Sequence, residues 1–134
     1  LIAENVEMNF EMKNKVLKSG FLKMDGKEVF KFAINVVEKS INKILDMNNL
    51  KIEDINLIIP HQANQRIINN VAKKFNISND KFFVNLEKYG NTSAASIPMA
   101  LCEAFESKKI TKGDKVILVG FGGGLTWGST IIEI

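Results

Sequence analysis

Cysteine, histidine, arginine, tryptophan and tyrosine each occur once in this 134-residue chain, and proline twice. The single cysteine, Cys102, excludes an intrachain disulfide and any metal site built from several thiolates. No apolar run approaches the roughly 20 residues needed to span a bilayer. Leu1 to Met12 mixes acids with apolar residues and lacks a basic opening segment, so it does not read as a signal peptide. The net charge of +3 is mild, and all but one of the 18 basic residues are lysine. Without an interleaved aromatic and basic pattern, nucleic acid is not the expected partner. The chain opens on Leu1 rather than Met and is expected to be a processed chain or a piece of a longer one.

What is present reads as a globular domain. The chain is 46% hydrophobic and 25% charged, values typical of soluble domains. Its length suits one domain and allows a core without metals or disulfides.

Val6, Met8, Phe10 and Met12 alternate with polar residues and predict a strand. Lys13 to Gly20 reads as a loop, Phe21 to Met24 as a short extended piece, and Asp25-Gly26 as a turn. Phe30, Ala33, Ile34, Val37, Ile41, Ile44 and Leu45 recur at helical spacing, with Asp25 and Glu28 at the end that favours negative charge. Ile55 to Ile59 reads as a buried strand stopped by Pro60, which has no N–H to donate. Ile67, Ile68, Val71, Ala72 and Phe75 predict a second amphipathic helix from about Asn64 to Asn76.

Phe82 to Leu86 reads as another strand and Tyr89 to Thr92 as a turn. A third helix runs from Ser93 to about Ser107, with Pro98 tolerated near its start. The small residues Ser93 to Ser96 predict close, buried packing of that helix. Val116 to Val119 is a buried strand, Phe121 to Leu125 a Gly-rich turn, and Thr126 to Ile134 a returning strand. Strands alternating with helices predict an α/β fold with a mixed, mainly parallel sheet.

Three turns would then follow three successive strands: Pro60 to Asn64, Tyr89 to Ser93, and Gly120 to Gly124. Carboxyl ends of parallel strands are where ligands bind in open α/β sheets. Each turn has a structural reading when taken singly. His61 could be a bonded strand-end residue, Asn91 a cap, and Gly122-Gly123-Gly124 a tight hairpin. The basic face of the second helix could be merely solvated, and Cys102, among Leu101, Ala104 and Phe105, a packed thiol. Their grouping suggests more: an imidazole, a carboxamide and free backbone N–H groups suit a developing oxyanion or enolate. No Gly-Lys-Ser/Thr follows the glycines, so none of the turns is a phosphate loop.

At Met24 to Lys31, Pro60 to Arg66, Gly90 to Pro98 and Phe121 to Ser129 the chain resembles the C-terminal half of 3-oxoacyl-[acyl-carrier-protein] synthase III, a condensing-enzyme family of the thiolase superfamily. The resemblance covers Phe21 to Ile134. It implies residues 21–134 as the body of a C-terminal thiolase-like domain, with residues 1–20 a strand and linker piece of it. The implied reaction is the first condensation of fatty-acid synthesis, in which acyl-coenzyme A and malonyl-carrier protein give 3-oxoacyl-carrier protein, carbon dioxide and coenzyme A.

The resemblance also implies roles. His61 and Asn91 would stabilise the enolate, and the Gly123 N–H would form half of an oxyanion hole. Met24, Phe30, Asn64 and Phe121 would line the substrate channel. Lys31, Arg66, Lys73 and Lys74 would meet the acidic carrier protein, since complementary charge steers such encounters. No metal or resident cofactor is implied. The nucleophilic cysteine would lie in an absent N-terminal half, and this chain alone would be inactive. The full protein would be a homodimer of the bacterial cytoplasm or plastid stroma, without membrane attachment. Two other readings remain: a related coenzyme A condensing enzyme of secondary metabolism, and a non-catalytic module that binds carrier protein.

Overall fold

The computed structural model describes residues 2–3 and 22–134. The strand expected at Val6 to Met12 and the loop at Lys13 to Gly20 lie outside the described residues. Two short strands, β1 (Ile2–Ala3) and β2 (Leu22–Lys23), pair antiparallel.

Helix α1 (Gly26–Met47) follows directly. Asp25 and Gly26 do not form a free turn. Asp25 is the helix N-cap, and its Oδ1 accepts the backbone N–H groups of Lys27 and Glu28, both at 3.1 Å. That satisfies two of the donors a helix start leaves orphaned. Asp25→Ala is expected to cost about 1 kcal/mol, read as a lowered urea midpoint with an unchanged slope.

The main sheet has the order β3 (Leu57–Pro60), β4 (Lys115–Gly122), β5 (Thr126–Glu133). β3 and β4 are parallel, with Ile58 beside Ile117 and Pro60 beside Val119. β4 and β5 form an antiparallel hairpin. All four β3 residues are buried, which is why that strand reads as a continuous apolar run rather than an alternation.

Helices cover both faces. Ile58, Ile117 and Val119 point into one core with Ala33, Val37, Ile41 and Leu45 of α1. Ile67, Ile68, Val71 and Ala72 of α2 (Gln65–Phe75) complete it. Leu57, Ile59 and Val116 point the other way, toward Ala100 and Ala104 of α4 (Ser96–Glu106). Burying one such Ile side chain contributes about 1.5–3 kcal/mol.

Three expectations change. The strand at Phe82 to Leu86 shrinks to one parallel bridge, Ile58 to Phe82, with Phe83 N–H donating to Ile58 C=O at 2.9 Å. Leu86–Tyr89 is instead a short helix, α3, closed by Gly90 at φ +70°. Of the small residues Ser93 to Ser96, only Ser96, the first residue of α4, is buried, while Ser93, Ala94 and Ala95 are exposed. Cys102 is exposed rather than packed. The buried face of α4 repeats every four residues through Ser96, Ala100 and Ala104. Cys102 lies two residues from Ala100, roughly 200° around the helix axis.

Candidate active site

The site begins where β3 ends. Pro60 closes the strand, and the ladder continues one residue further because His61 N–H donates to Val119 C=O at 2.8 Å. β3 and β4 run parallel, so His61 and the β4–β5 turn share one end of the sheet. The His61 ring stands edge-on to Phe121, with centroids 5.3 Å apart and planes at 73°. On its other side, Nδ1 is 2.6 Å from the Ser96 hydroxyl. Burial pushes the imidazole below its ordinary pKa, since desolvation disfavours the charged form. Burial thus favours the neutral ring, which has one donor nitrogen and one acceptor nitrogen.

Gln62 turns inward and is 1% exposed. Its Nε2 donates to the carbonyls of Pro60 (2.8 Å) and Phe83 (3.1 Å), and its Oε1 accepts the Asn85 N–H (3.2 Å). Asn85 Nδ2 in turn donates to Glu103 on α4 at 2.8 Å. Glu103 also accepts from Lys88 at 2.6 Å. The hydrogen bond from Lys88, followed by that from Asn85, holds the Glu103 carboxyl below its usual range. This chain of bonds ties the end of β3 to α3 and α4.

Asn91 follows α3 rather than a ladder strand, so the second of the three expected strand-end turns is displaced. Its Oδ1 accepts Ser93 N–H at 2.9 Å. Among the described residues no hydrogen-bond partner takes its amide NH2. The 3-10 turn Ser93–Ala95 connects Asn91 to Ser96, the residue bonded to His61.

Gly123 is exposed in the β4–β5 turn, and its carbonyl accepts the Thr126 hydroxyl at 3.0 Å. The strict glycine requirement falls on its neighbour. Gly124 has φ +134°, and a Cβ there would stand 2.7 Å from Thr126 Cγ2. Phe121 is half-buried against His61.

The remaining expected residues are more dispersed. Asn64 caps α2 by accepting Arg66 N–H at 2.8 Å. The Arg66 guanidinium carbon lies 5.6 Å from the Phe30 ring centroid, which joins a basic residue to a channel candidate. Lys31 pairs with Glu28 at 2.9 Å, and Lys74 bridges to Glu38 and Asn35 of α1. Lys73 is exposed in the last turn of α2. Met24 is 56% exposed just before the Asp25 cap.

Ser96, Gln62, Asn85 and Glu103 were not singled out from the sequence. Only the first two fall inside recognised motifs, and nothing in a polar residue's identity announces its burial. Among the described residues no group of His, Cys, Asp and Glu could hold a metal ion. Nor is any of their helices long and apolar enough to cross a membrane. Chemically, His61 offers an uncharged imidazole beside Ser96 and Phe121, while Asn91 carries an uncharged carboxamide whose Oδ1 is engaged by Ser93 N–H.

Residues 45–134 match the family model described as 3-oxoacyl-[acyl-carrier-protein (ACP)] synthase III C terminal. The chain is 50% identical over its whole length to beta-ketoacyl-[acyl-carrier-protein] synthase III of Clostridium perfringens, covering 42% of that protein. It is 57% identical to the Clostridium tetani protein of the same name over 90% of this chain and 36% of that one. The crystal structure of 3-oxoacyl-[acyl-carrier-protein] synthase III from Aquifex aeolicus superposes with a TM-score of 0.83 at 48% identity, covering 86% of this chain and 37% of that one. The chain thus spans about two-fifths of the length of these relatives. It belongs to the 3-oxoacyl-[acyl-carrier-protein] synthase III C-terminal family, part of the thiolase superfamily of condensing enzymes.

Proposed function

We propose that this chain supplies the donor half of a decarboxylating condensing enzyme. The observation that carries the reading is a neutral, half-buried His61 held between Ser96 and Phe121 at the shared end of β3 and β4. In the reaction, an acyl group from acyl-coenzyme A is carried as a thioester on a cysteine outside this chain. Malonyl-carrier protein loses carbon dioxide, and the electron pair of the broken bond becomes an enolate. That carbon attacks the acyl carbonyl, a C–C bond forms, and the cysteine leaves as thiolate. The products are 3-oxoacyl-carrier protein and carbon dioxide, coenzyme A having left during loading.

His61 and Asn91 donate to the malonyl thioester oxygen as its charge grows. Neutral donors suit this step because they gain strength as the oxyanion develops and carry no charge to be desolvated beforehand. Gly123 N–H performs the same service for the acyl-cysteine carbonyl. Phe121 walls the malonyl site, Met24 and Phe30 the channel, and Asn64 the pantetheine arm. Arg66, Lys31, Lys73 and Lys74 face the acidic carrier protein. Residues 21–134 form the domain body, and residues 1–20 belong to the same domain, a view supported by the pairing of β1 with β2. The whole protein acts as a homodimer in bacterial cytoplasm or plastid stroma.

Cys102 is not the nucleophile of this scheme. It lies on the exposed face of α4 with Glu106 Oε1 3.7 Å from its Sγ, and no histidine activates it. Incubated alone with acetyl-coenzyme A, the 134-residue chain is expected to gain no acyl mass on Cys102. Stoichiometric acylation there, seen by mass spectrometry, would overturn the reading.

A further inference from the structure

Ser96 opens α4 and is 2% exposed. Its Oγ faces His61 Nδ1 at 2.6 Å and accepts the backbone N–H of Gln62 at 3.3 Å. A serine hydroxyl has one proton to give and two lone pairs to offer. The Gln62 N–H occupies one lone pair. The hydroxyl proton needs an acceptor, because a buried donor without one carries the full desolvation cost.

Among the described residues, His61 Nδ1 is the one acceptor bonded to that Oγ. If Nδ1 bore the ring proton, its N–H would take the second lone pair and the Ser96 proton would be stranded. If Nδ1 is bare, all three groups are satisfied. This agrees with the wider arrangement, in which no buried side-chain nitrogen or oxygen of the described residues lacks a partner. The Gln62 N–H contact also pins the start of α4 to the end of β3, so the hydroxyl is held where the ring needs it.

We infer that Ser96 is a positioning residue whose hydroxyl holds His61 in the Nε2–H tautomer, making Nε2–H the ring's single donor. The consequence for catalysis rests on the proposed role of His61 as an enolate donor, whereas the tautomer itself does not. A ring flipped to Nδ1–H would present a lone pair at Nε2 and repel an oxyanion. Ser96 would thus decide whether the imidazole helps or hinders without touching substrate.

The test uses the full-length protein with 15N-labelled histidine, its His61 signals assigned by their loss in His61→Ala. The parent should show Nδ1 unprotonated and Nε2 protonated. In Ser96→Ala the two shifts should converge as the tautomers mix, and Ser96→Thr, which keeps the hydroxyl, should restore them. Malonyl decarboxylation should fall about tenfold in Ser96→Ala, the scale of one net hydrogen bond, and recover in Ser96→Thr. A protonated Nδ1 in the parent overturns the inference even if Ser96→Ala fails to fold, and so do unmoved shifts in a folded Ser96→Ala. Shifts that converge while decarboxylation holds steady support Ser96's control of the tautomer and remove the catalytic role of His61 instead.

Discussion

Replacing His61 or Asn91 with Ala in the full-length protein is expected to lower malonyl decarboxylation by about 10²–10³-fold, the usual loss when one oxyanion donor is removed. Acyl loading should fall far less. In the proposed mechanism both donors would act on an oxygen whose charge grows as carbon dioxide departs, while loading would pass through a different tetrahedral centre served by Gly123. The two half-reactions are separable: release of labelled carbon dioxide reports one, and the mass of the acyl-enzyme reports the other. Asn91 is the sharper case. Its Oδ1 is engaged by Ser93 N–H, which leaves the NH2 as the group to donate, and Asn91→Asp would replace a donor with a charge of the wrong sign. Equal losses in both half-reactions would remove these assignments.

Gln62→Leu is expected to destabilise the protein by about 3–5 kcal/mol. The substitution roughly conserves volume but strips partners from the Pro60 carbonyl, the Phe83 carbonyl and the Asn85 N–H. Each buried group left unpaired costs about 1–3 kcal/mol, and relaxation of the loop recovers part of the sum. Gln62→Glu should also destabilise, because a carboxylate would face two carbonyl oxygens where an NH2 group now donates. Equilibrium urea unfolding measures both. A loss below about 1 kcal/mol for Gln62→Leu would mean that the network contributes little.

The same glutamine explains why residues 82–86 carry strand composition without forming a strand. Phe82 to Leu86 has strand composition, and its backbone sets out as one, with Phe82 bridged to Ile58. The next polar groups, Phe83 C=O and Asn85 N–H, are taken by the Gln62 side chain. A side chain thus substitutes for further ladder rungs, and the backbone is free to turn into α3. No periodicity within residues 82–86 carries that information, because its cause lies some twenty residues upstream.

Elements with strong periodicity were legible. α1 and α2 each bury most of the stripe that their spacing predicts, and β3 and β4 are the two buried runs. Asp25-Gly26 was ambiguous because aspartate before glycine serves turns and helix caps alike. The apolar sequence neighbours of Cys102 suggest a packed thiol, whereas α4 buries Ser96, Ala100 and Ala104 and leaves Cys102 exposed. At the site, His61 could be found because it ends an apolar run at a proline. Ser96 and Gln62 could not, since their importance lies in contacts 35 and 21 residues away in the chain.

Trp127 is the chain's one tryptophan and sits on β5 opposite Phe121, which touches the His61 ring. It is 55% exposed and edge-on to Phe32 at 5.8 Å. In the 134-residue chain, excitation near the red edge of indole absorption therefore reads a single fluorophore, placed in the strand that the Gly123 turn leads into. Whatever settles over that hairpin, another part of the protein or an acyl chain, shifts its emission toward the blue. The site carries its own optical gauge of coverage, with no label to attach.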